Sequence, residues 1–220
     1  MLRKETVSSK LLEYLKRLMA LPLLNNHRLV GGTGLALQIG HRISVDIDLF
    51  SDSKNDYIEI EKIVCAEFVN EIKIGHYINS PFGKGISFFL DGIKTDIIDW
   101  ETPFNHIPLV IDTIRIASKE EIARIKLDII TSPSEFARHD KKDYFDLACL
   151  LDDFTISQMI EMYKKSHPLV EFPERIVLEA FQYAELADKK PNPNMLIDMS
   201  WNGAKKKIQF AIEQYLSSNF

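Results

Sequence analysis

An α/β fold followed by an all-helical carboxy-terminal region is the architecture this sequence predicts, and three observations predict it. Up to about Ser118 helix-period and strand-period apolar patterns alternate, and after it almost every segment carries the helical period. Between Gly31 and Phe50 a glycine-rich turn leads through a short apolar helix pattern into a strand that bears two carboxylates. The chain of 220 residues therefore divides into an amino-terminal region, 1–117, and a helical region, 118–220.

The first helix is SSKLLEYLKRLMA, where Leu11, Leu12, Leu15, Leu18 and Met19 make one apolar stripe and Ser8 or Ser9 is available as its cap. HRLV reads as a short strand running into Gly31. LALQI fits a brief helix closed by Gly40, and VDIDLF a strand with Val45, Ile47 and Leu49 on one face and Asp46 and Asp48 on the other. NDYIEIEKIVCAEFVNEI reads as an amphipathic helix. In KGISFFLDGIKTDIIDW the pair Asp91-Gly92, the kind a tight primed turn favours, joins two alternating strands, and Asp96 projects from the less apolar face of the second. The helical half opens with Ser118-Lys119-Glu120-Glu121, a capping-box pattern ahead of Ile122, Ile125 and Ile129 with Lys126 on the flank. Beyond the loop TSPSEFARH, Asp140 is placed to cap DKKDYFDLACLLDDF, on which Lys142, Asp143 and Asp146 adjoin an apolar face of Phe145, Cys149 and Leu150. Three further helices are expected around Ile156 to Lys165, Glu174 to Ala187 and Trp201 to Leu216.

Composition excludes several classes. With 45% hydrophobic and 27% charged positions the chain is an ordinary globular protein able to bury a core. No run approaches the roughly 18 consecutive apolar residues of a membrane span, and MLRKETVSSK lacks the apolar core of a secretory signal, so a cytosolic protein is expected. A net charge of −5 argues against a surface that grips nucleic acid all round, while leaving room for a local basic patch. Cys65 and Cys149 lack CxxC spacing and read as buried thiols, and the scattered His27, His76, His106 and His167 have no ligand spacing.

Two aspartates on one face of an apolar strand repel, and neither desolvates cheaply, so a cation is needed where they converge. Hard carboxylate oxygens suit Mg²⁺, which takes remaining ligands from waters and substrate phosphates. Asp96 on a nearby strand offers a third carboxylate, the number that holds two metal ions around an in-line phosphoryl displacement. Gly31-Gly32-Thr33, a glycine turn entering a helix, directs backbone N–H groups at an anion such as the phosphates of an NTP. An EF-hand is excluded, because Phe50, Ser51 and Tyr57 stand where ligand, glycine and bidentate Glu are required. Arg42, between turn and strand, is a candidate contact to nucleotide or to the carboxylates. Lys142 and Asp146 also form an ordinary i,i+4 pair, worth about 0.2 to 0.5 kcal/mol on a solvated helix.

LVGGTGLALQIGHRISVDIDLF, followed by GIKTDIIDW, IRIASKEEIARIKLDII and KKDYFDLACLL, resembles the AbiEii/AbiGii toxin family of the nucleotidyltransferase superfamily. Members of that family act in abortive infection and as toxins of type IV toxin–antitoxin systems, and the likeness runs from about His27 to Lys207. It implies a nucleotidyltransferase fold, with a small mixed sheet carrying the site and a helical region completing it. Gly32 and Thr33 would hold triphosphate, Asp46 and Asp48 would bind Mg²⁺, and Asp96 would activate the attacking hydroxyl. Lys142, Asp143 and Asp146 match a KDxxD motif of the family, and Lys126 an upstream helix lysine.

The leading expectation is an Mg²⁺-dependent nucleotidyltransferase that moves a nucleoside monophosphate from an NTP to an acceptor, an RNA end, as a toxin with a cognate antitoxin protein encoded nearby. A small-molecule acceptor of the antibiotic type is the second reading, and a nucleotide-binding module working through a protein partner the third. For an RNA acceptor, Arg42, Arg124, Lys126, Arg138, Lys141 and Lys142 are the cations expected to line a basic groove beside the metals.

Overall fold

The computed structural model describes residues 1–132 and 139–219, which form two compact units, Met1–Ser118 and Lys119–Phe220. The amino-terminal unit is built on one seven-stranded mixed sheet, in the order β3-β4-β5-β2-β1-β7-β6. Its strands are β1 (Arg28–Leu29), β2 (Ile47–Ser51), β3 (Ile72–Ser80), β4 (Gly83–Leu90), β5 (Ile93–Trp100), β6 (Leu109–Ile111) and β7 (Ile114–Ile116). Its helices are α1 (Ser9–Ala20), α2 (Gly31–Ile39) and α3 (Tyr57–Glu67). The pairing that positions the site is central: β2 runs parallel to β5 and antiparallel to the two-residue β1.

Local signals explain these elements. Ser8 caps α1 by accepting from the Leu11 N–H at 3.0 Å, and the helix buries Leu11, Tyr14, Leu15, Leu18 and Met19, leaving Leu12 half-buried. Asp91 and Gly92 both adopt positive φ, 46° and 85°, as the primed turn between β4 and β5 requires. Thr95 and Ile97 of β5 face the core with Ile86, Phe88 and Leu90 of β4, while Asp96 lies on the opposite face. Gly40 closes α2 in the left-handed conformation at φ 74°.

Some expectations shift. Strand β2 begins at Ile47, not Val45. Val45 is 63% exposed, because the parallel register with β5 starts at Ile47 and the preceding chain is tied elsewhere, Ser44 N–H to the Thr6 carbonyl. Asp56 caps α3, which stops at Glu67, and the residues after it turn into β3, where a helix continuing to Ile72 was expected. β3, β6 and β7 carry no clean alternation, so periodicity missed them; β3 is an edge strand exposed along most of its length. Cys65 is half-buried and Cys149 buried, both free thiols.

In the carboxy-terminal unit, α4 (Lys119–Ile130), α5 (Lys141–Leu150), α6 (Ile156–Ser166), α7 (Pro173–Gln182) and α8 (Trp201–Asn219) pack around Ile122, Leu127, Tyr144, Phe145, Met159 and Phe181. A capping box between Thr155 and Gln158 starts α6. Asp140 precedes α5 but its side chain makes no cap; its carboxylate lies 3.8 Å from Lys190. Trp201 packs against Tyr144 and Phe145 and donates from Nε1 to Asp188 at 2.7 Å. Lys205 and Lys207 pair with Asp188 and Asp152, as a solvated helix face would. Among the described residues no helix is long and apolar enough to cross a membrane.

His27, just ahead of β1, is fully buried, and neither ring nitrogen has a hydrogen-bond partner. Burial holds its pKa down at about 4, so between pH 6.5 and 4 the unfolded chain takes up a proton that the folded chain refuses. The contribution of His27 to stability is intact above pH 6.5 and is lost as pH falls towards 4, by up to about 3 kcal/mol. His27→Leu should therefore keep its unfolding free energy at pH 7 and lose less than the parent at pH 4.5, as denaturant titrations at the two pH values would measure.

Candidate active site

The parallel register sets Asp48 directly beside Asp96, on one face of the sheet and about 4.8 Å apart in the manner of adjacent strands. Asp46 lies one residue before β2, where its backbone carbonyl accepts a hydrogen bond from the Thr33 hydroxyl, whose oxygen lies 2.9 Å from the Ser44 hydroxyl and can accept from it. Thr33, buried in the first turn of α2, thereby ties the glycine turn to the carboxylate strand. Above it, Val30 N–H donates to the Asp48 carbonyl at 2.9 Å.

Charged side chains stand close over the two leading glycines. Gly31 has φ 63°, and a Cβ there would lie 2.5 Å from Asp48 Oδ2. A Cβ on Gly32 would lie 2.0 Å from Arg42 Nη2. The Asp48 carboxylate and the Arg42 guanidinium thus lie close over the backbone that opens α2, and at Gly31 the left-handed φ favours glycine as well. Arg42 is 4% exposed, and its Nη1 donates to the Ile43 carbonyl at 3.1 Å and reaches Ser44 Oγ at 3.4 Å.

Asp96 has a partner on each oxygen. Ser87, opposite it on β4 and itself buried, donates to Oδ1 at 2.6 Å, and the Lys94 ammonium pairs with Oδ2. Strand alternation places Lys94 on the face of Asp96, whereas Ser87 is not singled out by the sequence. The signal lay in the hairpin register, since the Asp91-Gly92 turn sets Ser87 opposite Asp96 once the pairing is counted out.

Among the described residues no three carboxylate, imidazole or thiol groups form a ready-made metal cage. The donor set nevertheless fits Mg²⁺ delivered with a nucleotide, because that ion binds through one or two carboxylates and completes its shell with waters and substrate phosphates. Asp46 and Asp48 are hard oxygen donors beside a glycine cradle of the kind that receives phosphate.

In the carboxy-terminal unit the structure unites Lys126, Asp143 and Asp146. Lys126 Nζ lies 2.5 Å from Asp143 Oδ1 and 2.7 Å from Asp146 Oδ2, with all three side chains buried. Asp146, expected to pair with Lys142, is thus part of a buried bridge from α4 to α5, and Lys142 is half-buried. Asp143 Oδ2 is buried with no hydrogen-bond partner. A second buried group on α4 joins Arg124 to Glu121 at 2.8 Å and to Asp128 at 3.5 Å, and burial pushes the Asp128 carboxyl up to about 6.

Arg42, Arg124, Lys126 and Lys141 are all buried, Lys141 with its ammonium 5.4 Å from the Trp201 ring. Charges flanked by carboxylates or an aromatic face at close range are withdrawn from solvent, which a helix-face pattern alone does not disclose. Arg138 lies outside the described residues.

Comparison with known proteins gives three findings. Residues 13–214 match the family described as "Nucleotidyl transferase AbiEii toxin, Type IV TA system". An uncharacterized protein of Aquifex aeolicus (strain VF5) is 25% identical over 216 residues, 94% of this chain and 96% of its own length. A crystal structure from H. pylori, described as a candidate nucleotidyltransferase, is 20% identical and superposes with a TM-score of 0.56, covering 97% of this chain and 99% of its own.

Removing the Lys126 cation takes from two buried carboxylates the ammonium that bridges them, a loss of about 3 to 5 kcal/mol. Lys126→Met should lower the unfolding free energy by that amount in denaturant titration, whereas Lys142→Met should shift it by less than about 1 kcal/mol. Equal shifts in the two variants would refute the assignment of Lys126 as the buried bridge.

Proposed function

The chain belongs to the AbiEii nucleotidyl transferase toxin family of type IV toxin–antitoxin systems, and from that premise we propose that it transfers a nucleoside monophosphate from an Mg²⁺-bound NTP to an RNA acceptor in the cytosol, under control of a cognate antitoxin. The observation that carries the chemistry is the single rung of the sheet on which Asp48 and Asp96 stand side by side below the glycine turn. When bound, Mg²⁺ supplies charge neutralisation of the triphosphate and polarisation of the phosphoryl group under attack.

The protein's own groups have distinct roles in this reading. Gly31, Gly32 and Thr33 present the start of α2, with its N–H groups and positive end, to the phosphates. Arg42, lying over Gly32, adds a fixed positive charge there, and Asp46 and Asp48 hold the metal. Asp96 takes the proton of the attacking hydroxyl, its carboxylate oriented by the Ser87 hydroxyl. Through the KDxxD motif, Lys142 neutralises charge as pyrophosphate leaves and Asp143 orients it, while Lys126, through the family's helix lysine, serves the nucleotide as well as the buried carboxylates.

The acceptor has a second reading. Burial of Arg42, Arg124, Lys126 and Lys141 favours an acceptor bearing little negative charge, a small molecule or a protein side chain. Purified protein, Mg²⁺ and each of the four radiolabelled NTPs, mixed with total RNA, should label RNA. Label on a small molecule or a protein, with RNA unlabelled, would replace the RNA reading by that acceptor. Asp48→Ala should lower transfer by about 100-fold or more, the scale on which one charge-stabilising group acts in a preorganised site, while thermal unfolding stays near the parent. Near-parental turnover in that variant would remove Asp48 from the mechanism.

A further inference from the structure

We propose that the Lys94 ammonium takes the place of a second metal ion beside Asp96, so that one divalent cation accompanies each triphosphate; this rests on the reading that Asp46, Asp48 and Asp96 serve a metal-dependent transfer. The β2–β5 register pairs Ile47 with Thr95 and Asp48 with Asp96. Lys94, two residues before Asp96 on β5, lies on the same face of the strand and pairs with that carboxylate.

Ser87 decides where that ammonium acts. Its hydroxyl occupies Asp96 Oδ1 and fixes the carboxylate, so that Oδ2 is the oxygen turned towards Lys94. The Lys94 side chain is 40% exposed and that of Asp96 only 12%, which sets the cation at the mouth and the carboxylate beneath it. A second divalent ion bridging Asp48 and Asp96 would have to ligate the oxygen that already holds the ammonium. Two cations at such separations repel strongly, and Mg²⁺ tolerates little departure from octahedral geometry. Lysine instead supplies one positive charge that neutralises Asp96 without demanding further ligands. Asp46 and Asp48 are, in the proposed function, the one or two carboxylates needed by the ion that arrives with the nucleotide.

The number of bound ions tests this directly. Mn²⁺ retained by the full-length chain is counted by equilibrium dialysis in the presence of saturating α,β-non-hydrolysable analogues of each NTP, with analogue-only controls subtracted. The parent should hold one Mn²⁺ per chain, Lys94→Arg one, and Lys94→Met two, since loss of the ammonium frees Asp96 Oδ2 for a second ion. Circular dichroism melting verifies that both variants are folded, as expected for a side chain already at the surface. Two ions in the parent, or one in Lys94→Met, would overturn the role of Lys94 and leave the metal-dependent reading standing. No ion in any of the three proteins with any analogue would overturn that reading itself, and this inference with it.

Discussion

Like-charge repulsion at one rung of a parallel ladder is the constraint around which the amino-terminal unit is arranged. Asp48 and Asp96 are held side by side by the central β2–β5 pairing, in a sheet whose other face is packed with Leu49, Ile97, Ile86 and Phe88. Carboxylates cannot be brought that close without compensation, and the surrounding residues supply it: Lys94 and the Ser87 hydroxyl on Asp96, and a glycine turn on which Asp48 and Arg42 both press. The same constraint explains the shortness of the flanking parts. β1 is two residues long because the chain must turn at Gly31 to start α2, whose first turn is tied by Thr33 to the segment that carries Asp46.

The carboxy-terminal unit resolves an electrostatic conflict of its own differently. Lys126 is withdrawn into the helical core and shared between Asp143 and Asp146, and Arg124 is shared between Glu121 and Asp128. Such bridges contribute little net stability over an apolar core of the same shape, but once present they make each member costly to lose and fix how α4 meets α5. A motif that carries chemistry by family likeness therefore also has a structural role, and effects of substitutions on activity and on folding must be separated residue by residue. The raised Asp128 and depressed His27 act in opposite directions over the acid range, since the first binds a proton more readily in the folded state and the second less.

The sequence by itself determined the parts whose signals are local. The cap at Ser8, the closing Gly40, the Asp91-Gly92 turn and the helices of the second half follow from dihedral preferences and apolar periods that neighbours along the chain impose. The order of glycine turn, short helix, DxD strand and Asp96 hairpin was legible for the same reason, and with it the family. Tertiary structure alone decided what lies between distant segments. Strands β3, β6 and β7 owe their form to pairing, not to alternation, and Val45 left its predicted strand because β5 offers no partner before Thr95. The partners of the charges were less visible: the bridge from Lys126 to Asp143 and Asp146, the Ser87 hydroxyl on Asp96, and the burial of Arg42, Arg124, Lys126 and Lys141. A charge takes whichever counter-charge the fold brings within hydrogen-bond reach, and that is set by strand register and helix packing, quantities that do not exist until the chain has folded.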